Sequence, residues 1–402
     1  VWRSGARPHL TRLQDSQTPQ IGHIFRYVRD DARGTPTDAA TRVAVAGAPG
    51  TAQPRVSTPG RPARLPGLDA LRGLAVGLVL LNHAAPDVFG AAGVIGVTMF
   101  FALSGWLITG VLMRDLERHG RVRFGRFYAA RALRLFPPLL LMLAGYVVVE
   151  GVLDHLGEAD LVPASLLASL TYTMNVPGLP HGSESLYHFW TLATEEQFYL
   201  VWPLVLAWGW RRGLLRGALA VCVAGSLTAC IVSLLVVAPD TARVYALPTS
   251  WGAALLIGCA AYLGRGELLH LLPAARRARR ATVLAVVAAL GGGTLLTGAA
   301  EHTSWYVVGV PAVAVATVVL IAYTSRWPRL PSPLLRPAVA LGTVSYAAYL
   351  WNAAIARWLH HPHDLAGAAA VVGLTLLAAT ASWWLLERPV ARWRARRAAT
   401  AA

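Results

Sequence analysis

The sequence contains no lysine and is short of charge altogether. Charged residues make up 14% of the 402 positions, against about a quarter in a soluble domain. That scarcity excludes an ordinary soluble globular chain. With 55% hydrophobic residues and a mean hydropathy of +0.49, it implies an all-α polytopic membrane protein. Cysteine is nearly as scarce, with Cys222, Cys230 and Cys259 all in apolar runs. Their odd number and setting argue against a disulfide framework or a thiolate metal site and suit small core residues. Acidic residues number 20 against 36 arginines, a net charge of +16. Such an excess can signal nucleic acid. No aromatic residues interleave with the arginines in the manner of a nucleic-acid groove, so that partner is excluded.

Residues 1–65 hold no long apolar run and are rich in Arg, Pro, Thr and Gly. This composition predicts a mostly disordered cytoplasmic extension, without the apolar middle section of a signal peptide. Beyond it lie ten apolar spans of roughly 17–25 residues, the length that crosses a bilayer core. They run over 68–85, 92–113, 134–152, 188–210, 214–238, 246–264, 281–298, 304–324, 337–357 and 366–386. A shorter stretch, 161–174, suits a re-entrant or surface helix. Arginine sets the orientation. Segments 114–134, 211–216, 265–280, 326–336 and 388–397 carry 23 arginines, whereas the intervening loops carry Arg243 and Arg357. By the positive-inside rule both termini are cytoplasmic, and the expected location is the plasma membrane. The expected division is an extension at 1–65, a membrane domain at 66–390 and a basic cytoplasmic tail at 391–402.

Against this apolar background, a few polar residues stand out. The first span begins LDALRGLAVGLVLLNHA at 68–84. Eleven residues at 100° each make three turns plus about 20°, so Arg72 and His83 share one face about 16 Å apart. Asp69 lies one turn before Arg72 and can pair with it. Gly73 and Gly77 permit a close helix neighbour. Taken singly, snorkelling explains Arg72 and an ordinary satisfied polar residue explains His83. Their shared face favours a site, since ionisable groups inside a membrane usually mark one.

Four further stretches carry candidates. In FFALSGWLITG at 100–110, Ser104 is not in a nucleophile elbow, because Ala102 occupies the first glycine position. Close helix packing at Ser104 and Gly105 is the plain reading. In FYAARALRLFPP at 127–138, Arg131 and Arg134 face the same way. They suit a grip on phosphates, although on composition alone the setting of topology is the stronger reading. In FWTLATEEQFYLVWP at 189–203, Glu195 and Glu196 lie inside a span and point about 100° apart, so at most one faces a site. A carboxylate beside a histidine suits acid–base work. In SYAAYLWN at 345–352, Tyr346, Tyr349 and Trp351 suit a membrane interface or the wall of a polar acceptor cavity. Glu387 and Pro389 mark where the last helix leaves the membrane. His360, His361, His363 and Asp364 are metal-ligand types without a ligand spacing, and no metal is expected.

In this order, the blocks resemble the type 3 membrane acyltransferase family, which O-acylates glycans, lipids and natural products. The resemblance runs from Leu68 to about Trp393. An arginine and a histidine separated by ten residues match Arg72 and His83. An FF-x-x-SG block matches Phe100, Phe101, Ser104 and Gly105, and the paired arginines match Arg131 and Arg134 before Pro137. A W-S-L-x-x-E-E-Q-F-Y block with a later proline matches Trp190, Leu192, Glu195, Glu196, Gln197, Phe198, Tyr199 and Pro203, with Thr191 in the serine place. An SY-x-x-YL-x-H block matches Ser345, Tyr346, Tyr349 and Leu350, but Asn352 stands where the family has histidine.

The resemblance implies an O-acyltransferase with no bound cofactor. Acyl-CoA is the donor substrate from the cytoplasm, and the acceptor is a hydroxyl, often reached from the outer side. On this resemblance His83 and Glu195 are catalytic, and Arg72, Arg131 and Arg134 bind the donor. Ser104, Trp190, Tyr346 and Tyr349 contact substrate. The first expectation is acetyl transfer to a cell-envelope carbohydrate or glycolipid. The same chemistry on a secondary metabolite such as a macrolide is the nearest alternative. A transporter or flippase is an alternative of another class, although the sequence shows neither an internal repeat nor paired broken helices. The short segment after the last span is expected to make this the stand-alone form, without an extra hydrolase-like domain.

Overall fold

The structure, a computed structural model, describes residues 65–237, 241–361 and 364–400. The extension expected before residue 65 and His363 of the histidine-rich loop lie outside the described residues. Within them the regular structure is helical. The first helices are α1 (Pro66–Ala84), α2 (Ala92–His119), α3 (Phe124–Tyr146), α4 (Val162–Thr171) and α5 (Trp190–Arg212). Next come α6 (Leu215–Val237), α7 (Thr241–Ala246), α8 (Pro248–Leu263), α9 (Arg265–Leu271) and α10 (Arg276–Gly293). The last are α11 (Val310–Thr324), α12 (Arg336–Thr343), α13 (Ser345–Trp358), α14 (Leu365–Ser382) and α15 (Arg388–Thr400).

The ten expected spans fall in helical segments, 337–357 across both α12 and α13, and the short stretch 161–174 contains α4. Among the described residues, six helical segments are long and apolar enough to cross a membrane: Ala92–His119, Phe124–Val152, Leu215–Val237, Arg243–Leu263, Trp305–Thr324 and Leu365–Arg394. A seventh is reached if α12 and α13, bent by 71° at a short break, count as one. The helices that fall short do so for a chemical reason. Helix α1 carries Asp69, Arg72, Asn82 and His83; α5 carries Glu195 and Glu196; and α10 opens on four arginines within five residues. In α1 and α5 the polar residues that suggest a site also lower the apolarity of the helix.

Helix α2 packs on α1, α8 and α11, while α1 packs on α12 and α13, and α13 on α14. Where no water is available to drive apolar faces together, close backbone approach at small residues supplies much of the attraction. At the α2–α8 crossing a side chain on Gly105 would overlap the carbonyl of Leu255, and one on Gly258 would overlap that of Ala102. The α1–α12 crossing repeats the device. Gly73 lies against the carbonyl of Ala338, and Gly342 against that of Asp69. Gly77, the other half of the expected pair, meets Leu341 at ordinary contact distance. Cys259 sits in the same seam, its Sγ 3.5 Å from the carbonyl oxygen of Gly105, and is a small core residue as expected.

Candidate active site

Two groups of polar side chains lie toward opposite ends of α1. At the Arg72 end, Glu195 Oε1 accepts hydrogen bonds from Ser104 Oγ and, at 2.7 Å, from the hydroxyl of Tyr199 one turn along α5. Glu196 points elsewhere, as adjacent helix positions must, and takes Arg131 Nη2 in an ion pair. The Arg131 guanidinium lies 3.6 Å over the Tyr199 ring, a cation–π contact. Tyr199 therefore joins the two acidic groups into one network. Each glutamate has its own partner, and Arg131 is anchored rather than presented as an open fork.

Arg72 and Arg134 are different. Among the described residues neither makes an ion pair within 4 Å, and Arg134 is exposed. Each lies within the other's field, and Asp69 and Glu195 also act on Arg72 without an ion pair. Glu387 lies within the fields of both arginines, and its Oε1 is buried without a hydrogen bond. Two guanidinium groups held near each other without a directly paired carboxylate suit an incoming polyanion.

At the other end, His83 Nδ1 donates to the carbonyl of Val79 at 3.1 Å. A carbonyl can only accept, so in this contact the proton is on Nδ1 and Nε2 carries the lone pair, with the Asn352 side chain beside the ring. His188 is fixed in the opposite sense. Its Nε2 donates to the carbonyl of Leu350 at 3.2 Å, and its Nδ1 is buried without a hydrogen-bond partner. Both rings line one pocket, together with Tyr187, Trp190, Tyr245 and Arg357. Glu184 and His361 complete its wall. Glu158 braces the rim, accepting from Arg357 Nη2 at 2.6 Å and from Ser183 Oγ at 2.5 Å. Asn352 is fully buried beside His83. Its Nδ2 donates to the carbonyls of Ala348 and Tyr349, and its Oδ1 has no partner.

The structure separates residues that the sequence reading grouped. Trp190, in the pocket wall, opens α5, and five residues at 1.5 Å carry Glu195 about 7.5 Å further along the helix. Glu195 meets Ser104 and Tyr199, whereas the carboxylate in the His83 pocket is Glu184. Tyr346 donates to the carbonyl of Leu135 at 3.2 Å, tying α13 to α3. The Tyr349 hydroxyl donates to the carbonyl of His188 at 2.9 Å and lies 2.6 Å from Thr191 Oγ1. The two tyrosine hydroxyls thus hold walls together. His188 and Tyr199 escaped notice as candidates, although both lie in or beside the block around Trp190. Among the described residues no group of three His, Cys, Asp or Glu is placed to hold a metal.

The Ser104–Glu195 bond yields a direct test. Ser104→Ala removes one of two donors to Glu195 and leaves Tyr199 in place. A hydrogen bond to a carboxylate contributes about 1.5–3 kcal/mol, so transfer is expected to fall by about ten- to a hundredfold with normal accumulation. Complete loss would instead mark Ser104 as an acyl carrier.

The order of the blocks agrees with a comparison against known families: residues 65–387 match the acyltransferase domain of the type 3 acyltransferases. The chain belongs to that family. Its similar relatives include the peptidoglycan O-acetyltransferase OatA of Listeria monocytogenes, 30% identical over 306 residues that cover 72% of this chain and 49% of the relative. A putative peptidoglycan O-acetyltransferase, YrhL of Bacillus subtilis, is 32% identical over 72% of this chain and 48% of its own length. The O-acetyltransferase OatA of Staphylococcus aureus is 27% identical over 82% of this chain and 57% of its own. This type 3 acyltransferase thus spans about half the length of the curated relatives it matches. No solved structure matches it. With its apolar helices, it is a multi-pass plasma-membrane protein.

Proposed function

We propose that this chain moves an acyl group, acetyl first, from acyl-CoA to a hydroxyl of a cell-envelope carbohydrate or glycolipid. The observation that carries the reading is the polarity of α1. Guanidinium groups without an ion pair lie toward one end, and the His83 imidazole lines a pocket with Tyr187, Trp190 and Tyr245 toward the other. The names of the relatives support a peptidoglycan sugar as the kind of acceptor. The membrane arrangement belongs to the same proposal: ten spans within residues 66–390, both termini cytoplasmic, and a basic tail at 391–402. The 23 arginines on one side against two on the other support it.

In this arrangement the polyanionic end of acyl-CoA meets Arg72 and Arg134 on the cytoplasmic side, and its thin pantetheine arm runs along α1 toward His83. Arg131, Glu196, Glu195, Ser104 and Tyr199 hold the entrance in shape. The acceptor enters the His83 pocket from the outer side. His83 Nε2 removes the proton as the acceptor oxygen attacks the thioester carbonyl. The new C–O bond forms, the C–S bond breaks, and the proton passes from the imidazolium to the leaving thiolate. Tyr187, Trp190 and Tyr245 offer apolar faces to a sugar ring.

Donor binding can be tested separately from chemistry. Arg134→Gln removes one exposed charge-assisted contact, so KM for acetyl-CoA is expected to rise about tenfold with kcat little changed. An unchanged KM would remove Arg134 from the donor site. The reading as a whole is tested by mass spectrometry of envelope glycans from cells with and without the gene, where an added acetyl mass on a glycan is expected. Glycans of unchanged mass, with the purified protein moving a solute without consuming acyl-CoA, would replace the enzyme by a transporter.

A further inference from the structure

We propose that Arg394, on the basic tail helix α15, completes the donor site by binding the 3′-phosphate of acyl-CoA. This rests on the acyl-CoA reading of that site and adds the group by which the donor is told from its dephosphorylated form.

The last helix runs back along α3. The turn Trp383–Glu387 packs on α3, and Arg394 Nη1 donates to the carbonyl of Ala130 in α3 at 3.3 Å. That carbonyl is the one to which helical pairing directs the main-chain N–H of Arg134. Side chains on a helix lean toward its N-terminus, so Arg134 leans over the same turn. Glu387 and Arg394 are seven residues apart, about two turns, and share one face of their helix. Glu387 lies within the fields of Arg134 and Arg72, so this face is the one turned toward the proposed donor site. Arg394 also has donors to spare. It is half-buried, and its Nε and Nη2 take no partner among the described residues. They are not enclosed as Nε of Arg131 and Nε of Arg357 are. Arg388 and Arg397 of the same tail lie instead over the rings of Trp384 and Trp393, at 3.7 and 4.2 Å.

The order of charges along the donor matches this placement. From the thioester, the pantetheine arm leads to the pyrophosphate and then to the ribose with its 3′-phosphate. A thioester at His83 therefore brings the pyrophosphate to Arg72 and Arg134 first. Arg394 lies about 10 Å beyond Glu387 along its helix, seven residues at 1.5 Å each, beside the turn of α3 that precedes Arg134. It is displaced in the direction in which the nucleotide end must continue. A phosphate dianion is matched in shape and charge by a guanidinium fork. The contact is made in substrate and transition state alike, so it sets donor affinity and leaves the chemical step unchanged.

The test titrates the full chain, in phosphatidylcholine nanodiscs, with CoA and with 3′-dephospho-CoA, which differ only in that phosphate. The wild type is expected to bind CoA about tenfold more tightly, the worth of a charge-assisted hydrogen bond at a half-buried site. Arg394→Gln is expected to bind both ligands alike, at the wild-type affinity for dephospho-CoA, which also shows that the rest of the site is intact. Arg394→Lys, a point charge without the fork, is expected to keep part of the preference. Arg134→Gln is expected to weaken both ligands by one factor, and Arg392→Gln, at an exposed tail position, to leave the preference unchanged. If the wild type binds both ligands alike, or Arg394→Gln keeps the preference or weakens both equally, Arg394 only ties the tail to α3 and the proposal is overturned. Loss of the preference in Arg392→Gln would assign it to diffuse tail charge, and its loss on adding phosphatidylglycerol would assign Arg394 to a lipid headgroup; either overturns the proposal. If the wild type binds neither ligand, the acyl-CoA reading fails first and takes this proposal with it.

Discussion

Replacing His83 by alanine is expected to lower acyl transfer by a factor of about 100 to 10,000, the usual contribution of a positioned general base, while the protein accumulates in the membrane as before. Both halves of this result follow from the local geometry. His83 is half-buried on a pocket wall. Its hydrogen bond within the chain runs to the carbonyl of Val79, a residue of its own helix. Alanine keeps the helix and leaves the α1–α2 and α1–α12 seams untouched. What it removes is the Nε2 lone pair. An alkoxide must then form unaided, or a pocket water must take the proton far less well. Acetyl transfer from acetyl-CoA in proteoliposomes, normalised to protein by immunoblot, measures the loss. Added imidazole is expected to recover part of the activity of the alanine variant, because the vacated volume opens on the pocket; a purely structural histidine would show no such recovery. Transfer near the wild-type rate would remove His83 from the reaction.

The sequence made this residue visible because a polar group in an apolar helix is costly and therefore informative. Arg72 and His83 stood out for that reason, and their shared face followed from helical periodicity alone. The same logic located Glu195 and Glu196. It left out their partners, because contacts between α5 and α2 or α3 depend on packing that no local pattern encodes. Ser104 and Tyr199 meet at Glu195 although residue 104 is far from both in the chain. His188 was missed for a related reason. It lies in the short turn before α5, where a histidine is unremarkable, and only the folded chain sets it in one pocket with His83. Helical structure was legible throughout, since every apolar run lies in helical segments, and six of those segments are long and apolar enough to cross a membrane. The bend between α12 and α13 was not, because residues 337–357 read as one continuous span. The glycine pairs were half legible. Gly73 was identified, but its counterpart Gly342 lies on a helix recognisable as its neighbour only after folding.

Gly105→Val is expected to prevent stable accumulation of the protein, the second large effect. The α2–α8 seam is a backbone-to-backbone contact. A side chain at Gly105 meets the carbonyl of Leu255, and Gly258 stands in the same relation to Ala102 across the seam. A flexible side chain can turn away from an intruding methyl group, whereas a helical carbonyl cannot move without breaking its own hydrogen bond. The helices must therefore separate along the crossing, which withdraws Phe101 from Trp251 and exposes the seam around Cys259. Overpacking ordinarily costs about 1–3 kcal/mol, and an obstacle made of main chain belongs at or above the top of that range. Gly105→Ala presents the smallest such obstacle and is expected to be intermediate, whereas Gly125→Ala, with open space around it, is expected to behave as the wild type. Thermal unfolding of detergent-solubilised protein, followed by loss of a monodisperse chromatographic peak, orders the three variants. A Gly105→Val protein as stable as Gly125→Ala would mean that α2 and α8 do not meet at these glycines. The pocket of His83 and the network of Glu195 would then lack the shared support that α2 gives them, for Ser104 and Gly105 are consecutive. One residue reaches across to Glu195 and the next fixes the distance to α8, so the seam holds the serine in register with its carboxylate.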